Sequence, residues 1–433
     1  MRTIQFGVFG VVVTLAPASL AQPSGPPSAS GAVEQGSAPT DAALMAELQG
    51  AASRDAAALQ ASRADAGIRA EQRAEDPAGL VLGQQVVGNE SNPSISLIVD
   101  VAFAYFRKTD RMRWGGHAPQ RAGPNIQGAE LAISAPVDPF FKVDLAYALG
   151  HAHIEEVYLT TTSLPWNLQL RAGQFKSQVG RHNPTHLHSW DFALHPMPNQ
   201  FLFGGEGLTL PGVEASVLMP LPWYVEVIGA LQAGEAGSFR TKSSEQGDPE
   251  MKDFVVPTRL VQFLDVGDDW GLQIGLDGVF GTSVVGPEVG NRTEAYGADM
   301  MVKWRPIGDR STGYTYVKWT TEAWLRRMQV PDDAWRDVGG YSDLVFGLGK
   351  EWNAGARAEL WKRTSGDDPT EQNGRAQFGF DMVRGSGVVS YLPSHFSRVR
   401  LQYSYEHSEL YEDNHIGLLQ LEVSAGAHGA HQY

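Results

Sequence analysis

From Ser94 onward the chain alternates between apolar and polar positions. Ile95, Leu97, Val99, Val101, Phe103 and Tyr105 are apolar, whereas Ser94, Ser96, Asp100, Ala102 and Ala104 between them are small or polar. A period of two is the signature of a strand, and a tilted strand needs about ten such residues to cross a bilayer. Segments of this kind recur from 95–106 to 416–425, and sixteen of them predict an all-β fold, a transmembrane antiparallel β-barrel of about 16 strands over residues 94–433. An even number lets the sheet close with both termini at one end.

The connections predict the same architecture. Short ones (Ala135 to Pro139, Ser163 to Asn167, Met219 to Trp223, Val266 to Trp270, Lys350 to Asn353) alternate with mostly long ones (106–125, 176–211, 234–254, 282–294, 363–375), the stretch Gly150 to Ala152 being a short exception. Outer-membrane barrels sort their loops in this way, and a soluble sandwich has no reason to. Trp166, Trp223, Trp270, Trp304 and Trp352 all stand at or beside short turns. Amphipathic rings settle at the headgroup level, so these mark a membrane interface.

Alternation also assigns the faces. Val317, Trp319, Ala323 and Leu325 point one way, and Lys318, Thr320, Glu322 and Arg326 the other. Near the C-terminus, Val399, Leu401, Tyr403 and Tyr405 oppose Arg398, Arg400, Gln402 and Glu406. A charge facing lipid at mid-depth costs about 2–4 kcal/mol, so the apolar rows face lipid and the charged rows a wet lumen. Lumen bases then include Arg171, Lys303, Arg305, Lys318, Arg326 and Arg357, balanced by acids such as Glu130, Asp144, Glu156, Asp277, Glu322 and Glu359. Sixteen strands are wide enough for an aqueous channel.

Ahead of the alternation the chain changes character. Arg2, the apolar run Ile4 to Leu15 and Ser19-Leu20-Ala21 predict a signal peptide over residues 1–21. Residues 22–93 are expected to be a disordered and helical periplasmic extension, with the helix formers in 41–75. The sequence holds no cysteine, which excludes disulfides and thiolate chemistry, and its formal net charge of −15 argues against nucleic-acid partners.

One segment interrupts the alternation for longest. Residues 176–211 follow the strand LQLRAGQF and carry His182, His186, His188 and His195, with Arg181 and Glu206 near the ends. A loop this long is usually functional, and it is expected to fold into the barrel mouth and narrow it. The stretch LQLRAGQFKSQVGRHNPTH resembles the fifth strand and third loop of phosphate-selective porins. The closing LLQLEVSAGAHGAHQY resembles the terminal strand by which the outer-membrane assembly machinery recognises its clients. The resemblance implies a bacterial outer-membrane porin, often a homotrimer, passing small ionic solutes such as phosphate. It places Arg171, Lys176 and Arg181 beside the constriction.

The expected function is therefore passive diffusion of small polar or ionic solutes through a lipid-embedded barrel, without enzymatic activity. Two alternatives rest on other residues. His182, His186 and His188 offer imidazoles to a divalent metal, zinc above all, and would make the protein a metal receptor or channel. His407 beside Ser404 or Ser408 is the nearest approach to a hydrolase pair, with no nucleophile elbow around it.

Overall fold

The computed structural model describes residues 93–108, 115–150, 152–242, 250, 253–285, 290–306, 315–367, 378–408 and 410–426. The expected signal peptide, the helical stretch 41–75 and the terminal aromatic lie outside them.

Eighteen strands form one antiparallel sheet. In chain order they are β1 (Ser94–Phe106), β2 (Gly123–Asp138), β3 (Phe141–Ala148), β4 (His153–Thr161), β5 (Leu168–Lys176), β6 (Thr209–Leu218), β7 (Tyr224–Gln232), β8 (Glu235–Ala236), β9 (Phe239–Arg240), β10 (Val256–Val266), β11 (Trp270–Ser283), β12 (Arg292–Trp304), β13 (Tyr316–Val330), β14 (Asp333–Gly347), β15 (Trp352–Ser365), β16 (Met382–Ser394), β17 (Ser397–Ser408) and β18 (Glu412–Gly426). β8 and β9 are two-residue strands of a small hairpin. The other sixteen pair with their neighbours, β7 with β10 and β18 with β1, so the barrel closes and no edge is left open.

The faces fall as alternation predicts. Along β1, Leu97, Val101, Phe103 and Tyr105 are exposed while Ser96, Ile98, Asp100, Ala102 and Ala104 are buried. Around the ring, Tyr296, Trp319, Leu325, Leu360, Leu401 and Leu419 lie on the outside. Trp166, Trp223, Trp270 and Trp352 are exposed at the short-turn end, where Trp270 stands opposite Trp304 in register. The loop parity is looser than the sequence suggests. The β13–β14 connection is only Pro331 and Asp332, with Asp332 at φ 64. The acid-rich segment 332–337 is therefore mostly strand, and Asp337 points into the barrel.

The interior departs from a uniformly wet lumen. Residues 177–208 fold inside and bury a short α-helix, α1 (Met197–Phe203), along its whole length. Phe201, Leu202, Phe203, Val179 and Leu208 pack with wall residues Val279, Ala295, Trp324, Trp361 and Met382. Two glycines make this possible. Trp324 stands opposite Gly297 and Trp361 opposite Gly339. A Cβ on either glycine would come within 2.5 Å or 2.1 Å of the facing indole ring. Each ring lies flat across its glycine and meets the helix, Phe203 at 5.1 Å and Phe201 at 5.6 Å between centroids. Alternation correctly puts both tryptophans on the inner face, but water content depends on what the loop brings to them.

Two outcomes test this arrangement. Leu401→Arg should cost about 2–4 kcal/mol more than Leu401→Ala in equilibrium urea unfolding from lipid vesicles; equal costs would contradict the assignment of that row to lipid. Gly339→Val should destabilise by about 1–3 kcal/mol through overpacking. Trp361→Ala should relieve part of that loss in the double variant, and strict additivity would show that the two side chains do not compete for one space.

Candidate functional site: the inserted loop and its charged wall

The inward charges are organised by strand register. Opposite one another across neighbouring strands stand Arg171 and Glu214, Arg259 and Asp277, Arg357 and Asp343, and Arg398 and Glu422. Asp337 faces Arg326 on one side and Arg363 on the other, and Arg384 sits between Glu359 and Glu406. Each register pair is an ion pair: Arg171–Glu214 at 2.9 Å, Arg259–Asp277 at 2.8 Å, Arg326–Asp337 at 2.6 Å, Arg363–Asp337 at 2.9 Å. Gly275 leaves room for Arg259 to reach across β11 to Asp299 at 2.8 Å, since a Cβ there would come within 2.1 Å of the Asp299 carboxylate. Arg171, Arg326 and Arg357 are consequently buried and paired.

The same wall groups hold the loop. Wall arginines donate to loop carbonyls: Arg357 to Leu194 at 2.9 Å, Arg384 to His195 at 2.6 Å, Arg326 to Phe201 at 3.1 Å, and Arg398 and Arg400 both to Trp190 at 2.9 Å. Wall acids accept loop amides: Glu359 from Met197 at 2.7 Å and Asp277 from Gly180 at 2.9 Å. Glu322 alone accepts from the amides of Arg181 and His182, Asn199 Nδ2, Trp324 Nε1 and the Tyr341 hydroxyl. Gly180, at φ 61, brings the chain so close that a Cβ would lie 2.6 Å from that carboxylate. Every one of these bonds involves a charged partner, the strong class.

The remaining predicted bases lie elsewhere. Lys303 and Lys318 face each other directly in register. Lys318 pairs with loop residue Asp191 at 2.7 Å and stays partly open, and Arg305 is exposed just past β12. Arg181 is half-buried and donates to Gln273. These four form the more accessible cationic part of the interior. Lys176 is buried, its ammonium on the Glu206 carbonyl at 3.1 Å, while the Glu206 carboxylate lies 3.6 Å from His117.

The four loop histidines split into two pairs. His182 packs edge-on to His195 at 4.5 Å and against Trp190 at 4.8 Å. Burial, then His195 and the cations Arg357 and Lys176, drive its pKa well below the ordinary histidine value. His186 stacks on His188 at 5.7 Å. Its Nε2 lies 2.7 Å from Glu156, and its Nδ1 is 3.2 Å from Glu130 and 3.5 Å from Glu155. Burial opposes charge here too, but the carboxylates led by Glu130 outweigh it and raise the pKa well above the ordinary value. Among the described residues, the grouping with metal-ligand spacing that contains a loop histidine is Glu130, Glu155 and His186, and neither His182 nor His188 is in it.

Glu155 escapes a reading by alternation. Strict period two would turn it to lipid beside inward Glu156. Between β3 and β4 the register slips, Ala146 pairing with Glu156 and Tyr147 with Ile154, so Glu155 is the extra residue of a β-bulge and both carboxylates point inward. The signal in the sequence is the pair itself, because two consecutive acids in a membrane strand cannot both avoid lipid without a bulge. Arg259, Arg384, Glu214 and Asp343 are further lumen charges that the sequence reading omits. The hydrolase candidates, by contrast, separate: Ser404 and Ser408 are buried inward, whereas His407 is exposed and pairs with Asp413 at 2.7 Å.

No family model matches the sequence. A protein of Aquifex aeolicus (strain VF5), described only as uncharacterized, is 27% identical over 423 residues, covering 88% of each chain. Among solved structures, the outer membrane channel DcaP of Acinetobacter baumannii covers 80% of this chain and 100% of its own at a TM-score of 0.52 and 13% identity. OmpT, an outer membrane protein of Vibrio cholerae, covers 79% and 100% at 0.50 and 10%. The chain has the fold of outer-membrane barrels, channels among them.

Proposed function

We propose that the protein is an outer-membrane channel through which small ionic solutes diffuse passively, narrowed by the loop 176–211. One observation carries the reading: a closed sixteen-strand ring with apolar side chains outward and charges inward, into which a long loop is folded. A barrel built only as an anchor needs no charged inner row, because apolar side chains would fill the space at lower desolvation cost. A polar interior of this width suits hydrated solutes.

Within that reading we assign the preference to anions, phosphate included. Paired arginines contribute little net charge, so selectivity falls to the accessible groups. Lys303, Lys318 and Arg181 against Asp191 leave an excess of positive charge along that part of the interior, and rings of bases favour anions. A homotrimer in the lipid bilayer, inserted by the barrel-assembly machinery, is the form that the resemblance to phosphate-selective porins implies.

In planar bilayers the purified protein should give stepwise conductance with a reversal potential of anion sign in a salt gradient; a non-conducting barrel would reject the channel. Lys303→Glu with Lys318→Glu should move the reversal potential toward cations, and no movement would reject their role. Glu322→Ala removes the acceptor of five hydrogen bonds. It should free the loop, seen as faster proteolysis within 177–208 and noisier conductance, and unchanged protease resistance would show that the loop is held by other means.

A further inference from the structure

We propose that Glu130 on β2, Glu155 on β4 and His186 on the inserted loop form a binding site for a divalent transition-metal ion of the zinc class, which ties the loop to the barrel wall. The proposal concerns binding and stands whether or not the barrel conducts.

The first support is geometric. One ligand atom from each residue lies within 4.8 Å of the other two. Tetrahedral zinc with bonds of about 2.0–2.2 Å holds its ligand atoms roughly 3.4 Å apart, close to the 3.2 Å and 3.5 Å that separate His186 Nδ1 from Glu130 and Glu155. The second support is an unmet hydrogen bond. A single Nδ1–H of His186 faces Glu130 at 3.2 Å and Glu155 at 3.5 Å, and one N–H cannot serve both. Glu155 Oε2 is left buried without a hydrogen-bond partner, with the residue only 6% exposed. A metal ion between the three groups satisfies both carboxylates and the imidazole nitrogen at once.

Charge points the same way. Glu130, Glu155 and Glu156 place three carboxylates around the one imidazole of His186, a donor set of the kind that draws a divalent cation. The β-bulge in β4 turns Glu155 inward, and bulges recur where a side chain must be re-aimed at a site. There is also a way in. A pocket of about 340 Å³ reaches Glu155 past Glu206 and Lys176. At its side His117, Glu155 and Glu206 make a second grouping with ligand spacing that shares Glu155 with the first. The donor set fits zinc better than calcium, which prefers six to eight oxygens and has little use for imidazole.

The test uses the full chain, folded in detergent and stripped with a chelator, in a background carrying H428A and H431A so that tail histidines do not contribute. Calorimetric titration with zinc chloride should show one ion bound per chain, with calcium chloride failing to compete. Glu155→Gln and His186→Ala should each weaken binding by at least about tenfold, with heat-modifiable gel migration verifying that each variant is folded. Glu155→Gln and Glu130→Gln change no volume, so they decide the matter should His186→Ala fail to fold. Absence of zinc uptake, or wild-type affinity in the folded Gln variants, would overturn the site. Conductance of the same samples reports separately on the channel.

Discussion

A loop cannot be buried inside a barrel unless its backbone groups find partners, and that requirement shapes this molecule. Segment 177–208 has one seven-residue α-helix and turn hydrogen bonds such as Thr185 to His182 and Ser189 to His186, and other backbone groups of the segment are met from the wall. An unpaired buried amide or carbonyl costs about 1–3 kcal/mol, so a loop with many of them would stay in water. Here the wall supplies what the loop lacks, guanidinium groups for its carbonyls and carboxylates for its amides. The wall charges need the loop in turn. Arg384 and Glu359 are deeply buried, and burial of an ion pair is tolerable only when the remaining donors and acceptors are also satisfied.

The register pairing explains how so many charges coexist in one interior. Cross-strand neighbours on one face have Cβ atoms about 4.5–5.5 Å apart, the right span for a guanidinium to meet a carboxylate. Arg326–Asp337–Arg363 and Glu359–Arg384–Glu406 are therefore chains of alternating sign running around the barrel, across successive strands. Glycines stand where a neighbour has to lie flat. Gly275 lets Arg259 reach over its own neighbouring strand to Asp299, and Gly297 and Gly339 hold space for Trp324 and Trp361. The helix side chains Phe201 and Phe203 then meet indole faces rather than charges.

This division also marks what a sequence can and cannot reveal. Which residues face lipid was legible in the period-two pattern, since Leu401 and Arg400 differ in burial as adjacent positions should. The interface rings were legible from tryptophans at short turns. Pairing was not, because the partner of Arg357 depends on the offset between β14 and β15, and a shift of one residue turns every side chain to the other face. Arg171, Arg326 and Arg357 were correctly placed inside, yet their buried pairs make them parts of the scaffold more than free charges in a pore. The tight turn at Asp332 and the bulge at Glu155 are local breaks in periodicity, so a reading based on periodicity passes over both. The histidines drew attention by number, but two of them, His182 and His195, are ring neighbours packed beside Trp190, and carboxylates from β2 and β4 complete the surroundings of His186.

The charge outside the arginine–carboxylate register pairs is what distinguishes one side of the interior from the other. Around β12 and β13, Lys303 and Lys318 face each other, and the loop acid Asp191 pairs with Lys318. Around β2 and β4, Glu130, Glu155 and Glu156 converge on one loop imidazole. Like charges brought together cost energy that neutral replacements would avoid, so neither cluster is explained by stability. The two lie on different walls, and the loop carries the counter-charge to each, a carboxylate to the bases and an imidazole to the acids. Moving the loop would expose both clusters at once, so its position and the field inside the barrel are one variable.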